Sequence, residues 1–278
     1  MDKIALVTDS TAYLSEEEIA QHAITVIPLT VNFADGFIYD GLVDTNEFFA
    51  RVDRSNKLPF TSQPAVGQFV EIYRALIEAG KEVISIHLSS ELSGTFESAR
   101  GAASMVDPNK ITVIDSTTTS APMAFLVLAA SQWAREGFSR SEIAVKLEKA
   151  IPELRSFFIP DTLEYLKKGG RIGGAQALLG SMLQIKPILY FFEGKVEVFE
   201  KVRTRRKAIN RMLQELPLES KHLKVAVVHC AALEDAVGIK ELIIGMAPHA
   251  QVEIREFGPV LSTHGGPGLV GMGVWAHD

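Results

Sequence analysis

The side chains best suited to holding a small anionic group gather in short polar runs. Thr8-Asp9-Ser10-Thr11, Ser89 to Thr95 and Asp115-Ser116 each follow an apolar, β-branched run and lead into a turn or helix start. Hydroxyls plus free backbone N–H groups at a helix N-terminus make an anion site without net positive charge. Ser, Thr and Asp are also ordinary helix caps. One such cluster alone therefore reads first as a cap, while three in one chain point to a site without naming its ligand. Two further segments join them. Pro59-Phe60-Thr61-Ser62-Gln63-Pro64 is a polar, proline-bounded loop in which Ser62 also reads as the cap of the next helix. Ser262-Thr263-His264-Gly265-Gly266-Pro267-Gly268 is a loop whose glycines, set around His264, allow backbone to approach a ligand closely. Basic residues collect at Lys167-Lys168-Gly169-Gly170-Arg171 and from Lys201 to Lys207, either as a solvated helix face or as a local docking or phosphate-facing surface.

These residues need a scaffold, and the patterning supplies one. In the first half short strands alternate with helices. Lys3 to Val7, Thr25 to Phe33, Lys81 to Leu88 and Ile111 to Ile114 read as strands. Ser15 with Glu18 reads as a capping box, Val66 to Ala79 as a helix stopping at Gly80, and Ala121 to Glu136 as a long apolar helix. This alternation predicts an α/β fold with a mostly parallel, doubly wound sheet flanked by helices. Ligands of such sheets sit beyond the carboxyl ends of the strands, where the three clusters fall. The second half differs. Helical pieces at Thr162 to Lys168 and Ala175 to Met182 precede a hairpin signal, Glu193-Gly194 between Ile188 to Phe192 and Lys195 to Val202. A helix from Thr204, a strand at Lys224 to His229, a helix from Glu234 and a strand at Gln251 to Phe257 complete a second α/β domain with a mixed sheet. The boundary falls near Leu154, giving domains 1–154 and 155–278.

Composition bounds the function. Hydrophobic residues make up 47% and charged residues 22% of the 278, an ordinary globular balance. A net charge of −6 offers no general attraction to nucleic acid or anionic membrane, so no nucleic-acid partner and at most transient membrane contact are expected. Cys230 has no second cysteine to pair with, which fits a reducing compartment. Ile4 to Val7 is shorter than a secretory h-region of roughly 7–15 residues. The longest apolar run, Ala121 to Ala130, is about half of a roughly 20-residue membrane span. A cytoplasmic location is expected. The seven histidines lack close ligand spacing, so no metal site is expected, nor any cofactor.

Together the segments resemble the DegV family across nearly the whole chain. The resemblance rests on Val7-Thr8-Asp9-Ser10-Thr11, Thr61-Ser62-Gln63-Pro64, Leu88-Ser89-Ser90 with Leu92-Ser93-Gly94-Thr95, and Asp115-Ser116. In the second half it rests on Leu166 to Ile172, Lys186-Pro187-Ile188-Leu189, Lys201-Val202-Arg203-Thr204, and Gly258-Pro259-Val260 leading to His264. Pro267, after His264, departs from the family pattern. The resemblance implies a DegV-like two-domain fold holding one long-chain fatty acid between the domains. It further implies a non-catalytic role as the binding subunit of a bacterial fatty acid kinase. A separate ATP-binding subunit would phosphorylate the carboxylate, and the acyl phosphate would feed phospholipid synthesis. Carried onto this chain, the carboxylate falls to Thr61, Ser62 and Ser93, with N–H help around Gly94 and His264 close by. Arg171, Arg203 and Arg205 become candidates for partner docking or phosphoryl transfer.

Physical chemistry suits that role. A carboxylate accepts hydrogen bonds from hydroxyls and N–H groups. Tail burial at about 0.8 kcal/mol per CH₂ supplies about 10 kcal/mol gross for a long chain, less the costs of association. Ile159, Leu163, Leu178, Leu179, Met182, Ile188 and Leu261 are candidate tunnel walls, and equally candidate core. The alternative is a serine hydrolase acting on acyl esters, with Ser93 as nucleophile, His264 as base and Asp9 or Asp115 as orienter. Against it, Glu91-Leu92-Ser93-Gly94-Thr95 is no Gly-x-Ser-x-Gly elbow. A phosphotransferase acting alone lacks a phosphate-binding Gly-x-x-x-x-Gly-Lys loop.

Overall fold

A computed structural model describes residues 3–277 apart from Leu42, Asn56 and Leu183. Met1, Asp2 and Asp278, the outer ends of the two expected domains, lie outside the described residues. The first half runs β1 (Ile4–Asp9), α1 (Glu16–His22), β2 (Thr25–Ile27), β3 (Thr30–Phe33), β4 (Gly36–Tyr39), α2 (Thr45–Arg54), β5 (Phe60–Ser62), α3 (Val66–Glu78), β6 (Glu82–His87), α4 (Thr95–Val106), β7 (Ile111–Asp115), α5 (Ser120–Arg135) and α6 (Arg140–Ala150). The second runs β8 (Leu154–Ile159), α7 (Glu164–Lys168), β9 (Lys186–Phe192), β10 (Lys195–Val202), α8 (Arg205–Leu213), β11 (His222–His229), α9 (Leu233–Met246), β12 (Gln251–Glu256), α10 (Pro259–Gly265) and β13 (Val270–His277).

Among the described residues the strands form three sheets. A parallel sheet has the order β2-β1-β6-β7, and a small antiparallel one the order β4-β3-β5. The third, β10-β9-β8-β13-β11-β12, is mixed: only β11 and β12 run parallel. The first two sheets lie wholly before Leu154, where the mixed sheet begins. β1 is buried along its whole length, as strands covered on both faces are. The α1 capping box forms, with Glu18 N–H donating to Ser15 Oγ at 3.1 Å and Ser15 N–H to Glu18 Oε2 at 2.8 Å.

α5 explains its own composition. It packs on β1 and β6 of the parallel sheet and on β8, β11 and β13 of the mixed one. A helix covered on opposite sides is apolar nearly all round. Among the described residues no helix is long and apolar enough to cross a membrane.

Several elements depart from the patterning. Thr25 to Phe33 is not one strand. Pro28 has no N–H to donate, so the run divides, β2 joining the parallel sheet and β3 the small one. The expected helix from Ala175 forms as 3₁₀ turns over Gly173–Ser181, where closely spaced glycines weaken α-helix. Glu193-Gly194 does turn the β9–β10 hairpin, both residues at positive φ (48° and 79°), as the favoured tight turn requires. The loop expected around His264 is mostly helix. Gly258 is extended and Pro259 opens α10 with its preset φ, so Ser262, Thr263 and His264 lie on a helix and only Gly266 onward is loop. Patterning did not resolve α2, α6 or β13; Gly271 and Gly273 interrupt the apolar alternation of the last.

Candidate functional site

A cavity opens between the parallel and mixed sheets. Its wall is largely apolar, with Leu88, Phe158, Phe191, Val228, Phe257 and Met272 among its side chains. Thr61, Ser93, Arg171 and His264 also line it, two from each half of the chain. An apolar pocket with a few convergent polar groups is the usual form of a small-molecule site.

Each polar residue is placed by its own element. Thr61 is the middle residue of β5, paired opposite Val31. Neighbouring strand residues face opposite ways, so Phe60 points to solvent and Ser62 turns from the cavity to accept a hydrogen bond from Asn32 Nδ2 at 2.9 Å. This corrects two expectations. Ser62 is not among the lining residues, and α3 is capped by Ala65 with Gln68, not by Ser62. Ser93 precedes α4; its Oγ accepts from Thr95 N–H at 3.3 Å and lies 2.9 Å from Thr95 Oγ1. Gly94 is the N-cap of α4 and is also not among the lining residues. The Gln63 carboxamide lies so close that a Cβ on Gly94 would meet Oε1 at 2.2 Å.

His264 anchors the polar end. Its Nε2 lies 2.8 Å from Thr61 Oγ1, while Nδ1 has no hydrogen-bond partner and packs against the α-carbon of Gly169. A Cβ on residue 169 would come within 2.1 Å of that nitrogen, so only glycine fits. Burial, and then the nearby Arg171 charge, push the imidazole down to about 4, so the ring is neutral near pH 7. A neutral ring with Nε2–H donating to Thr61 leaves Nδ1 as a bare acceptor, the milder of its two orphaned states. It also leaves the Thr61 hydroxyl proton free to be donated into the cavity. His264 then orients the Thr61 hydroxyl.

Arg171 was expected on a docking surface and instead lines the cavity. α7 ends in a reversal at Gly170 (φ 72°), with Gly170 N–H bonded to Lys167 O and Arg171 N–H to Leu166 O. The chain turns back, and the guanidinium donates to Leu92 O (2.9 Å) and Gly169 O (2.6 Å). Those bonds use part of its five-donor fork and fix the rest beside His264. The local positive charge absent from the overall balance is therefore present here.

The family model described as uncharacterised proteins of the DegV family matches residues 3–277. The chain belongs to the DegV family. It is 40% identical to Protein DegV of Bacillus subtilis (strain 168) over 274 residues, covering 97% of this chain and 98% of that one. Among solved structures it is similar to a fatty-acid-binding DegV family protein from Thermus thermophilus. There the identity is 33% and the TM-score 0.93, with 99% of this chain and 100% of that one covered. It is also similar to DegV of Bacillus subtilis, described as a fatty acid binding protein, at 39% identity, TM-score 0.91 and full coverage of both chains.

The other sequence candidates in this DegV-family chain fall elsewhere. Arg203 is exposed, away from the cavity lining. Glu200, a conceivable partner for it, instead pairs with Arg211 at 2.6 Å. Arg205 is committed to Asp235 at 2.6 Å and to Gly268 O at 2.7 Å, which fastens the turn after α10 to α8. Of the proposed tunnel walls, Leu261 lines the cavity. Ile159 and Ile188 face the core on the other side of the mixed sheet, while Leu163, Leu178, Leu179 and Met182 pack in the central core. The hydrolase arrangement is not assembled. His264 faces Thr61, Ser93 faces Thr95, Asp9 faces His87, and Asp115 accepts backbone N–H groups of Ser90 and Thr117.

The N-terminus of α10, and so His264, is held by a buried carboxylate. Asp40 Oδ1 accepts from Val260 N–H at 3.0 Å, and Tyr13 Oη accepts from Leu261 N–H at 3.0 Å. Burial raises Asp40 from 3.8 to about 6, the Val260 N–H opposing the rise. The folded chain thus holds this proton more tightly than the unfolded chain. Its contribution to stability is full below about 4 and is lost as pH rises through about 6. Asp40→Asn keeps an acceptor for Val260 N–H without the buried charge. It is expected to raise stability at pH 8 by about 1–3 kcal/mol and to flatten the pH dependence between those values. Urea unfolding at several pH values checks this; an unchanged slope in that window would remove the role given to Asp40.

Proposed function

We propose that this protein binds one long-chain fatty acid, with its carboxylate at Thr61, Ser93 and Arg171 and its tail in the apolar cavity. The reading is carried by one observation: the cavity is largely apolar, and one part of its wall brings together hydroxyl donors and a guanidinium suited to a carboxylate. The fatty-acid-binding relatives described above support it. Protein purified from bacteria is expected to release close to one fatty acid per chain on denaturing extraction, read by mass spectrometry. Well-folded protein that releases none would overturn the proposal.

We further propose that the bound acid is presented to a separate ATP-dependent fatty acid kinase subunit that forms the acyl phosphate, this chain being non-catalytic. Arg203 is the residue to test, because it is exposed near the start of α8 and tail burial does not need it. A planar guanidinium is suited to bidentate contact with a carboxylate or phosphate across an interface. Arg203→Ala is expected to keep fatty-acid affinity within about twofold, as for an exposed substitution away from the site, while lowering acyl phosphate formation with the kinase subunit and ATP. Wild-type acyl phosphate production by the variant would leave the segment from Lys201 to Lys207 a solvated surface only.

A further inference from the structure

The apolar wall of the cavity is interrupted at a second place besides Thr61 and His264. Thr119 and Ser120 both line it, both are 4% exposed, and neither Thr119 Oγ1 nor Ser120 Oγ has a hydrogen-bond partner. Other hydroxyls of the same turn have partners: Ser116 Oγ donates to Thr118 O at 3.2 Å, and Thr118 Oγ1 pairs with Ser156 Oγ of β8 at 3.2 Å. The two left over are the two that reach the cavity. Burying a hydroxyl without a partner is costly, and a residue without a hydroxyl, such as valine at 119 or glycine at 120, would avoid the cost. Two adjacent orphaned hydroxyls in an apolar wall are therefore suited to an occupant that itself carries a hydrogen-bonding group at that depth.

The depth follows from the strands. Gly273 of β13 lies against Pro122, two residues beyond Ser120; a Cβ there would come within 2.6 Å of the proline ring. Leu269, just before β13, touches Gly265, the residue after His264. Gly273 lies four positions along from Leu269, a span of about 13 Å in extended chain. The hydroxyl pair, beside Pro122, thus stands apart from the Gly265 end of the cavity, along the path of an acyl chain whose carboxylate is at Thr61.

We infer that Thr119 and Ser120 form a second polar subsite that accepts an oxygen on the middle of the acyl chain, so that the preferred ligand class is a hydroxy or oxo fatty acid. This rests on the fatty-acid reading above and specifies its ligand. A hydroxyl or carbonyl at that depth would bond to one or both side chains, whereas a plain alkyl chain would leave them bare. The test titrates delipidated protein with stearic acid and with hydroxystearic acids bearing the hydroxyl at successive mid-chain carbons. The wild type is expected to prefer at least one mid-chain hydroxystearic acid over stearic acid by about tenfold. Thr119→Val and Ser120→Gly, the latter suited to the positive φ of 58° at that position, are expected each to reduce that ratio, and together to bring it near one. Circular dichroism confirms that the variants fold, and should one fail to fold the other alone decides. Stearic acid bound as tightly as every hydroxy isomer, or a preference that survives in a folded variant, would overturn the subsite while leaving fatty-acid binding intact. Failure of the wild type to bind any of these acids would remove the fatty-acid reading and the subsite with it.

Discussion

Replacing Thr61 by Val and Ser93 by Ala in one chain is expected to weaken fatty-acid binding by about two to four orders of magnitude. Each hydroxyl would donate to a carboxylate in a cavity, and a hydrogen bond to a charged group contributes about 1.5–3 kcal/mol. The two together amount to about 3–6 kcal/mol, tenfold in affinity for each 1.4 kcal/mol. Neither change removes much volume, so the unfolding midpoint should stay near that of the wild type. The Thr61 change has a second consequence, because it also strips His264 Nε2 of its 2.8 Å partner. The single Thr61 variant should therefore lose at least as much affinity as the Ser93 variant. Calorimetric titration with a long-chain acid reads both. Equal affinity in the double variant and the wild type would mean that the carboxylate lies elsewhere.

The largest effect on stability is expected at Asp9, far from any solvent. Its Oδ1 accepts from Thr11 N–H (3.1 Å) and the Thr11 hydroxyl (2.6 Å), and its Oδ2 from Leu88 N–H (3.0 Å) and His87 Nδ1 (3.0 Å). The chain continues inward. Tyr73 donates to Ser85 Oγ at 2.7 Å, and Ser85 Oγ lies 2.7 Å from His87 Nε2. Asp9, His87, Ser85 and Tyr73 are all fully buried. The residue types are those of a hydrolytic triad, but the serine is sealed between His87 and Tyr73. Asp9→Ala would leave several buried donors without an acceptor at once and is expected to cost about 3–5 kcal/mol, enough to unfold a marginal domain. Asp115→Ala, at a partly exposed turn, should cost less than about 1 kcal/mol. Guanidinium unfolding of the two variants beside the wild type separates them. An Asp9→Ala chain as stable as the Asp115→Ala chain would contradict the network's role.

The candidate site and this network divide the polar clusters of the sequence between them. Thr8-Asp9-Ser10-Thr11 looks as much like an anion site as Ser89 to Thr95 does. Yet Thr8 donates to Ile86 O, Ser10 accepts from Leu29 N–H, and Asp9 is occupied by β6 and its following turn. The first cluster locks the strands together, and the second presents Ser93 to the cavity. Local residue types are the same in both, because a hydroxyl that caps a turn and one that meets a ligand obey the same hydrogen-bond chemistry. What separates them is whether another strand arrives to take the bond.

The sequence by itself determined the α/β class, the parallel sheet of the first half, the β9–β10 hairpin and the α1 capping box. Each rests on contacts within a few residues, or on a period that a strand or helix imposes on its own chain. It also carried enough of the family's ordered motifs to bring Thr61, Ser93 and His264 into consideration together. Tertiary structure alone decided the rest. The strand alternation of β5, set by pairing with β3, chose Thr61 over Ser62. The reversal at Gly170 carried Arg171 from a supposed surface into the cavity wall. The pairing of β8 with β9 and β13 turned Ile159 and Ile188 away from the cavity and Phe158 toward it. Thr119 and Ser120 gave no signal at all, since nothing local distinguishes them from Thr117 and Thr118. Their lack of partners arises only where α5 meets the mixed sheet, from strands that come later in the chain, and no period in the chain encodes which of two faces a distant strand will cover.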